Sequence, residues 1–324
     1  MRVVAFIIAS LVLLAAAGLS SRAGHAARGA PPLGAFLDIE GERLHYLDIG
    51  PKESARPPII LIHGASANLR DMKIALGDRL SKDRRVLMID RPGHGYSSRP
   101  ADGAQLTRQA ALIKEVADSL GLQRPIVLGQ SYGGAVALSF ALAFQDEMSG
   151  LVLLAPVSHE WPGGVAWYNN VSGWPVAGFL LRRLIIPVYG PLTGPGSVDE
   201  SFAPHPAPDN YYERAGVGLL FRPLEFQANA EDLVALKPQI IAMSDGYDAL
   251  RIPVTVAAGD ADKTVYPSIH AQGLARDIDH AELFIFEDTG HPLHHQRADE
   301  IVAMIDRMSE QAAAAELTTL NISR

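Results

Sequence analysis

The chain contains no cysteine in its 324 residues. That excludes disulfides, a thiol nucleophile and cysteine-ligated zinc, and leaves the redox compartment open. It also lacks any long basic run, and its net charge is −8, so its composition does not favour nucleic acid as a partner. Internal repeats and extended low-complexity tracts are absent. No glycine cluster reads G-x-G-x-x-G, and no acid stands where a ribose partner belongs, which argues against a dinucleotide cofactor. What is present is ordinary for a folded domain: 48% hydrophobic and 20% charged residues, neither of them a signature of disorder. The length admits two domains, or one large domain with an insertion.

Charge is scarcest at the start of the chain. After Arg2, an apolar run from Val3 to Leu19 is broken only by Ser10 and Gly18. It is slightly long for a secretory h-region and slightly short for a typical membrane span. Ser21-Arg22-Ala23 and Gly24-His25-Ala26 are candidate small-x-small cleavage sites, and Arg22 and Arg28 weaken the positive-inside signal. Residues 1–22 are expected to be a signal peptide or a retained membrane anchor, followed by a linker over 23–34. The protein is expected in the cell envelope, whether periplasmic, secreted or membrane-anchored. Retention would mean membrane association through residues 3–19.

The chain is organised around residues 125–139. A β-rich run, Ile126-Val127-Leu128, meets Gly129-Gln130-Ser131-Tyr132-Gly133, and a helix-forming run follows. This is G-x-S-x-G between a strand and a helix. A serine on such a sharp turn sits in a strained backbone, and bulky residues at the two flanking positions would clash. The turn lifts the hydroxyl clear of the sheet and sets it at a helix N-terminus, where negative charge is favoured. Ser131 is therefore the candidate nucleophile.

Around it, strands and helices alternate. Phe36–Ile39 and Arg43–Leu47 flank Glu40-Gly41-Glu42, a hairpin signal. Buried-strand runs lie at 59–62, 86–89, 126–128 and 151–154, with helices near 70–81 and 105–120 between them. The rhythm breaks at Pro156. Residues 158–249 carry no buried-strand pattern but hold all three tryptophans and ten of the 22 prolines. Helices are expected there near 174–186, 209–220 and 223–247. The rhythm resumes with strands at 253–258 and 282–286 and helices near 267–276 and 295–315. The fold class that follows is α/β: a mostly parallel sheet with helices on both faces and a helical cap inserted after one strand. The core would comprise 35–157 and 250–312, the cap 158–249, and a C-terminal tail 313–324. The cap would lie over the carboxyl ends of the strands, where such sheets place their sites.

Gly259-Asp260-Ala261-Asp262 follows the strand at 253–258, and Gly290-His291 follows the strand at 282–286. Serine, acid and histidine in that chain order, each just past a buried strand, resemble the triad of the α/β-hydrolase fold. The chain resembles that family, the fold-1 type, alongside serine esterases, lactonases, carbon–carbon bond hydrolases and cofactor-free haloperoxidases. The likeness spans about residues 36–310. It rests on His63-Gly64, Asp90-Arg91-Pro92-Gly93-His94-Gly95, Gly129-Gln130-Ser131-Tyr132-Gly133, Gly259-Asp260-Ala261-Asp262 and Gly290-His291. It implies Ser131 as nucleophile, His291 as base and Asp262 as the acid that orients it, with Asp260 as the fallback. It also implies an oxyanion hole from the backbone N–H groups of Ala65 and Tyr132. His63, Asp90 and His94 read as loop-organising. His291, His294 and His295 could suggest a metal, but no acidic or cysteine partner is near in sequence, so solvated histidines and no metal or cofactor are expected.

The function expected is a serine hydrolase acting on a small or medium apolar carboxylic ester or lactone through an acyl-enzyme. Carbon–carbon hydrolysis or perhydrolysis on the same triad is the alternative, and a non-enzymatic binding protein of the same fold the alternative of another class. Dehalogenases and epoxide hydrolases need a carboxylate where this chain has Ser131. Trp161, Trp167 and Trp174, early in the cap, are expected to include residues lining an apolar pocket over Ser131. The oligomeric state is left open.

Overall fold

The computed structural model describes residues 30–322, with side chains as far as residue 312. The apolar run at 3–19 lies outside the described residues, and with it the signal or anchor reading of residues 1–22. Among the described residues no helix is long and apolar enough to cross a membrane.

Eight strands form one sheet: β1 (Ala35–Ile39), β2 (Glu42–Ile49), β3 (Ile59–Ile62), β4 (Val86–Ile89), β5 (Ile126–Gln130), β6 (Gly150–Leu154), β7 (Val254–Gly259) and β8 (Glu282–Phe286). Their spatial order is β1-β2-β4-β3-β5-β6-β7-β8. β1 and β2 form the expected hairpin, turning at Glu40 and Gly41 with both φ angles positive, as a tight two-residue turn requires. β2 pairs antiparallel with β4, and every later pairing is parallel.

The continuous apolar runs are explained by their two faces. Ile60, Ile62, Val127, Leu151 and Leu153 point into one core layer, packed under helices Leu106–Ser119 and Tyr132–Phe144. Ile59, Leu61, Leu128, Val152 and Leu154 point into the other, which is closed by the helical run at 69–80 and the C-terminal helix. The side-chain period of two sends alternate residues to opposite layers, so a strand covered on both sides must be apolar throughout.

Between β6 and β7 the chain builds a layer of helices, chiefly Trp167–Ser172, Ile186–Phe202 and Pro223–Ser244. The second of these departs from expectation. The sequence spacing ends a helix near 186, ahead of a run of prolines, yet the helix continues through Pro187, Pro191 and Pro195 to Phe202. The prolines recur every fourth residue, so their missing N–H groups fall along one side, and Pro191 and Pro195 are exposed to solvent. The last helix, Ala298–Ile322, also runs past the expected tail boundary, through a stretch of Ala, Glu and Leu with no glycine or proline to stop it.

Two buried polar clusters fasten this helical layer to the core. The first centres on Arg91, which is fully buried. Its guanidinium donates to Asp232 Oδ2 at 2.6 Å and Gln109 Oε1 at 3.0 Å, and to the carbonyls of His63 and Gly64 at 3.1 Å each. It also lies 4.3 Å over the Tyr132 ring. The second centres on Asp71. Its carboxylate pairs with His294 Nε2 at 2.8 Å and His295 Nε2 at 2.7 Å, and accepts from the Tyr211 hydroxyl at 2.7 Å. Here the expectation of solvated histidines fails. An acid 223 positions away in sequence is their partner, and His294 is 2% exposed. Asp90 organises its loop as expected, accepting from His45 Nδ1 at 2.6 Å and from the N–H groups of Leu69 and Tyr96 at 2.8 Å each.

Two tests follow. Arg91→Leu should destabilise the fold by about 2–3 kcal/mol, because the buried Asp232 loses one of its two arginine partners and keeps only Arg99, at 2.8 Å. Arg91→Met combined with Asp232→Leu should recover part of that loss in urea unfolding. The second test is pH. Burial, with Arg91 beside it, pushes the His63 imidazole down to about 3. Burial likewise holds His270 down to about 4, with His159 adding to it. The unfolded chain takes up these protons below the ordinary histidine value of about 6.5, where the native state refuses them. Stability is therefore complete above that value and declines as pH falls toward the native values. His63→Asn should reduce the slope of stability against pH by about 1.4 kcal/mol per unit between roughly pH 5.5 and 4.

Candidate active site

β5 ends at Gln130, and the chain turns sharply into helix Tyr132–Phe144 at Ser131, whose φ of 55° and ψ of −117° are those of a strained turn. Three backbone bonds hold it there. Ser131 N–H donates to Leu154 O at 2.9 Å, while Ser131 O accepts from Gly134 N–H at 2.9 Å and Val157 N–H at 3.2 Å. The flanking glycines are required by space. A Cβ on Gly129 would collide with the Gly133 carbonyl, and one on Gly133 with the Ile62 carbonyl. Ser131 Oγ makes no hydrogen bond among the described residues, and the residue opens into a cavity of about 550 Å³.

His291 reaches the same cavity from the loop after β8. Its Nδ1 lies 2.7 Å from Asp262 Oδ2. Asp262, in the turn after β7, is buried, and its other oxygen accepts from the N–H groups of Thr264 at 2.7 Å and Val265 at 2.9 Å. The carboxylate is thereby locked with one oxygen left for the histidine. Asp260, two residues earlier, is exposed and has no bond to His291. With Nδ1 donating to Asp262, Nε2 carries the lone pair, and the Gln130 amide nitrogen lies 3.3 Å from it. Gln130 went unremarked in the sequence, where it is only the variable position of the motif. It lines the cavity beside the serine and holds the imidazole edge that faces it.

Ala65, just after β3, lines the cavity across from Ser131. The N–H groups of Ala65 and Tyr132 have no acceptor among the described residues. β3 and β5 are neighbours whose chains depart to opposite sides of the sheet, so these two N–H groups flank its topological switch point. The loop after Ala65 is tied to the helical layer, since Ser66 N–H donates to Asn229 Oδ1 at 2.7 Å. His63 is fully buried behind this loop, its Nε2 accepting from Arg91 N–H at 3.0 Å.

The tryptophans do not line the cavity. Its apolar wall comes from Tyr168, Ile186, Tyr189, Phe226 and Leu233. Trp167, at the start of helix Trp167–Ser172, is 70% exposed, and Trp174, in the turn that follows that helix, is 59% exposed. Trp161 packs on the flank of the core, with its ring under Lys237 Nζ at 4.9 Å and against His270. Closeness in sequence to the end of β6 did not translate into closeness to Ser131.

Asp71, His294 and His295 offer three potential metal-ligand atoms within 4.8 Å of one another. Their separations of 2.7–2.8 Å are those of hydrogen bonds. A tetrahedral zinc shell with bonds of about 2.0–2.1 Å would need them roughly half an ångström further apart. A second serine–histidine–aspartate chain, Ser158 Oγ to His159 Nδ1 at 2.9 Å and His159 Nε2 to Asp277 at 2.8 Å, lies elsewhere. Ser158 is fully buried, does not line the Ser131 cavity and donates its hydroxyl to the His270 carbonyl at 3.0 Å, so this chain reads as packing.

Comparison with known proteins agrees with this architecture. Residues 57–175 match the family model described as alpha/beta hydrolase fold. Over 156 residues the chain is 35% identical to haloalkane dehalogenase 2 of Mycobacterium bovis, a match covering 46% of this chain and 51% of the relative. The chain thus spans about half the length of that relative. It is 26% identical over 307 residues to a 2-hydroxymuconate semialdehyde hydrolase of Pseudomonas putida, covering 90% of this chain and 99% of the relative. A thermophilic esterase from Thermogutta terrifontis superposes with a TM-score of 0.68 at 22% identity, covering 86% of this chain and all of the other. With the sheet order, the strained serine turn and the helical layer between β6 and β7 already established, these likenesses agree that the chain has the α/β-hydrolase fold.

Proposed function

We propose that the protein is a serine hydrolase that cleaves a small or medium apolar carboxylic ester or lactone through Ser131, His291 and Asp262. The observation that carries the reading is the 2.7 Å bond between His291 Nδ1 and a buried, locked Asp262, at the wall of the cavity into which strained Ser131 opens. Ser131 Oγ attacks the carbonyl carbon as His291 Nε2 takes its proton. Asp262 keeps the imidazole in the correct tautomer and stabilises the imidazolium. The free N–H groups of Ala65 and Tyr132 receive the oxyanion, a preorganised stabilisation worth about 3–4 kcal/mol per donor in comparable sites. His291 then returns the proton to the leaving oxygen, and water repeats the sequence on the acyl-enzyme. Gln130 moves off Nε2 as the serine hydroxyl turns toward it.

The cavity wall favours neutral, apolar substrates. It carries no lysine or arginine, while Asp71 contributes negative charge at one end. The dehalogenase relative does not extend to this reading, because Ser131 cannot form the alkyl ester of a carboxylate nucleophile. The near full-length match to the semialdehyde hydrolase favours carbon–carbon hydrolysis on the same triad as a second reading. A side-by-side screen of esters, lactones and vinylogous diketones separates the two. We extend the proposal to location. The apolar run at 3–19 directs export to the envelope, and N-terminal sequencing of the native protein distinguishes a cleaved signal from an anchor.

Ser131→Ala and His291→Ala should each lower kcat at least about a thousandfold, with the fold intact by circular dichroism. Asp262→Asn should lower it by orders of magnitude, and Asp260→Asn should leave it within about twofold. A fluorophosphonate probe should label Ser131 alone. Labelling that persists in Ser131→Ala, or full turnover by that variant, would refute the assignment. Leu233→Phe should shift preference toward shorter acyl chains.

A further inference from the structure

Exposed apolar residues are concentrated in one stretch of the helical layer. Of the fifteen large hydrophobic residues exposed among the described residues, nine lie between positions 167 and 192. The most exposed are Leu192 at 75%, Val176 at 73%, Trp167 at 70%, Tyr189 at 63% and Trp174 at 59%. An exposed apolar tract this dense marks an interaction surface. Its charge is as uneven as its polarity. No acidic residue lies between Glu160 and Asp199, while Arg182 and Arg183 lie within the stretch, on a chain whose net charge is −8.

We propose that this face of the helical layer docks on an anionic lipid bilayer. The tryptophans and tyrosine are the residue types that settle at a membrane interface, where an apolar ring and a polar edge are both accommodated. Arg183, exposed and stacked over the Phe179 ring at 5.1 Å, supplies attraction to anionic headgroups, while Arg182 is half-buried and donates to the Ser172 carbonyl. The surface is continuous with the cavity, because Tyr168, Ile186 and Tyr189 belong to both the 167–192 stretch and the cavity wall. Docking therefore turns the cavity mouth toward lipid. A second copy of the chain fits less well. A two-fold contact through this patch would bring two copies of Arg183 toward each other, with no acid among residues 161–198 to answer them.

The start of the described chain lies on the same layer. Ala30 accepts from the Tyr96 hydroxyl at 2.5 Å, and its side chain lies beside Gly216, close to the cap helices. Residues 20–29 can span at most about 35 Å back to the apolar run at 3–19, so a chain held by that run can still lay this face on the bilayer. The proposal does not depend on the hydrolytic chemistry.

Tryptophan emission tests it, since Trp161, Trp167 and Trp174 are the only three. The full chain is mixed with phosphatidylcholine–phosphatidylglycerol vesicles carrying brominated acyl chains. Emission should fall about twofold relative to unbrominated vesicles, because two of the three rings sit in the docking face. In Trp167→Ser/Trp174→Ser, the remaining Trp161 emission should not respond to bromine. Val176→Asp/Phe179→Asp, checked for folding by circular dichroism, should lose most of the quenching. Equal emission in both vesicle types, with the chain bound to them, overturns the proposal. So does shielding of Trp167 and Trp174 from iodide before any lipid is added, whether the cover is a second copy seen as doubled mass in sedimentation, the chain's own residues 3–19, or another protein.

Discussion

A single buried cation ties the parts of this molecule together. Arg91 projects from the loop after β4 and is closed off from solvent. Its guanidinium meets the carbonyls of His63 and Gly64, the Tyr132 ring and Asp232. Each partner belongs to a different part of the proposed machinery: the loop that carries Ala65, the helix that starts at Ser131, and the cap helix Pro223–Ser244. A fully buried charge is tolerable only when its donors are taken up, and arginine's planar fork can meet several acceptors at once. The requirement to satisfy Arg91 therefore constrains the separation of these three elements.

The same logic governs the strained serine. A positive φ at a non-glycine residue costs free energy and persists only when the surroundings over-determine it. Here the surroundings are backbone: Leu154 O, Gly134 N–H and Val157 N–H hold Ser131, and the glycines at 129 and 133 let neighbouring carbonyls come close. The acid is treated similarly. Two backbone N–H groups take one oxygen of Asp262, leaving a single direction for His291. The side chains proposed to react are thus positioned by rigid backbone at strand ends, and the helical layer contributes the walls above them.

That layer does two things with its aromatic residues. Phe226 faces inward, to the cavity, and Trp167 and Trp174 face outward. A helical layer one helix thick has two faces, and the inner one cannot hold every aromatic side chain in the segment. Two of the three tryptophans, Trp167 and Trp174, thus belong to the outer surface, and it is there that the lipid-docking proposal applies.

The sequence by itself determined the strand runs, the hairpin, the G-x-S-x-G turn, the chain order of Ser131, Asp262 and His291, and the place of the insertion. All of these are local. They follow from side-chain period, from glycine where a Cβ cannot fit, and from residues immediately past strand ends. Choosing Asp262 over Asp260 needed the fold-family resemblance in addition, and the structure shows Asp262 buried and Asp260 exposed. Only the tertiary structure decided that Asp71 partners His294 and His295, that Arg91 meets Asp232, that Gln130 abuts His291, and which face the tryptophans take. These contacts join residues that a linear pattern cannot pair, such as Asp71 and His294 at a separation of 223 positions. The long helix through Pro187, Pro191 and Pro195 was hidden for a related reason. Proline's local cost argues for a break, and only packing of the opposite face against the rest of the cap, as where Gly190 meets Phe221, outweighs it.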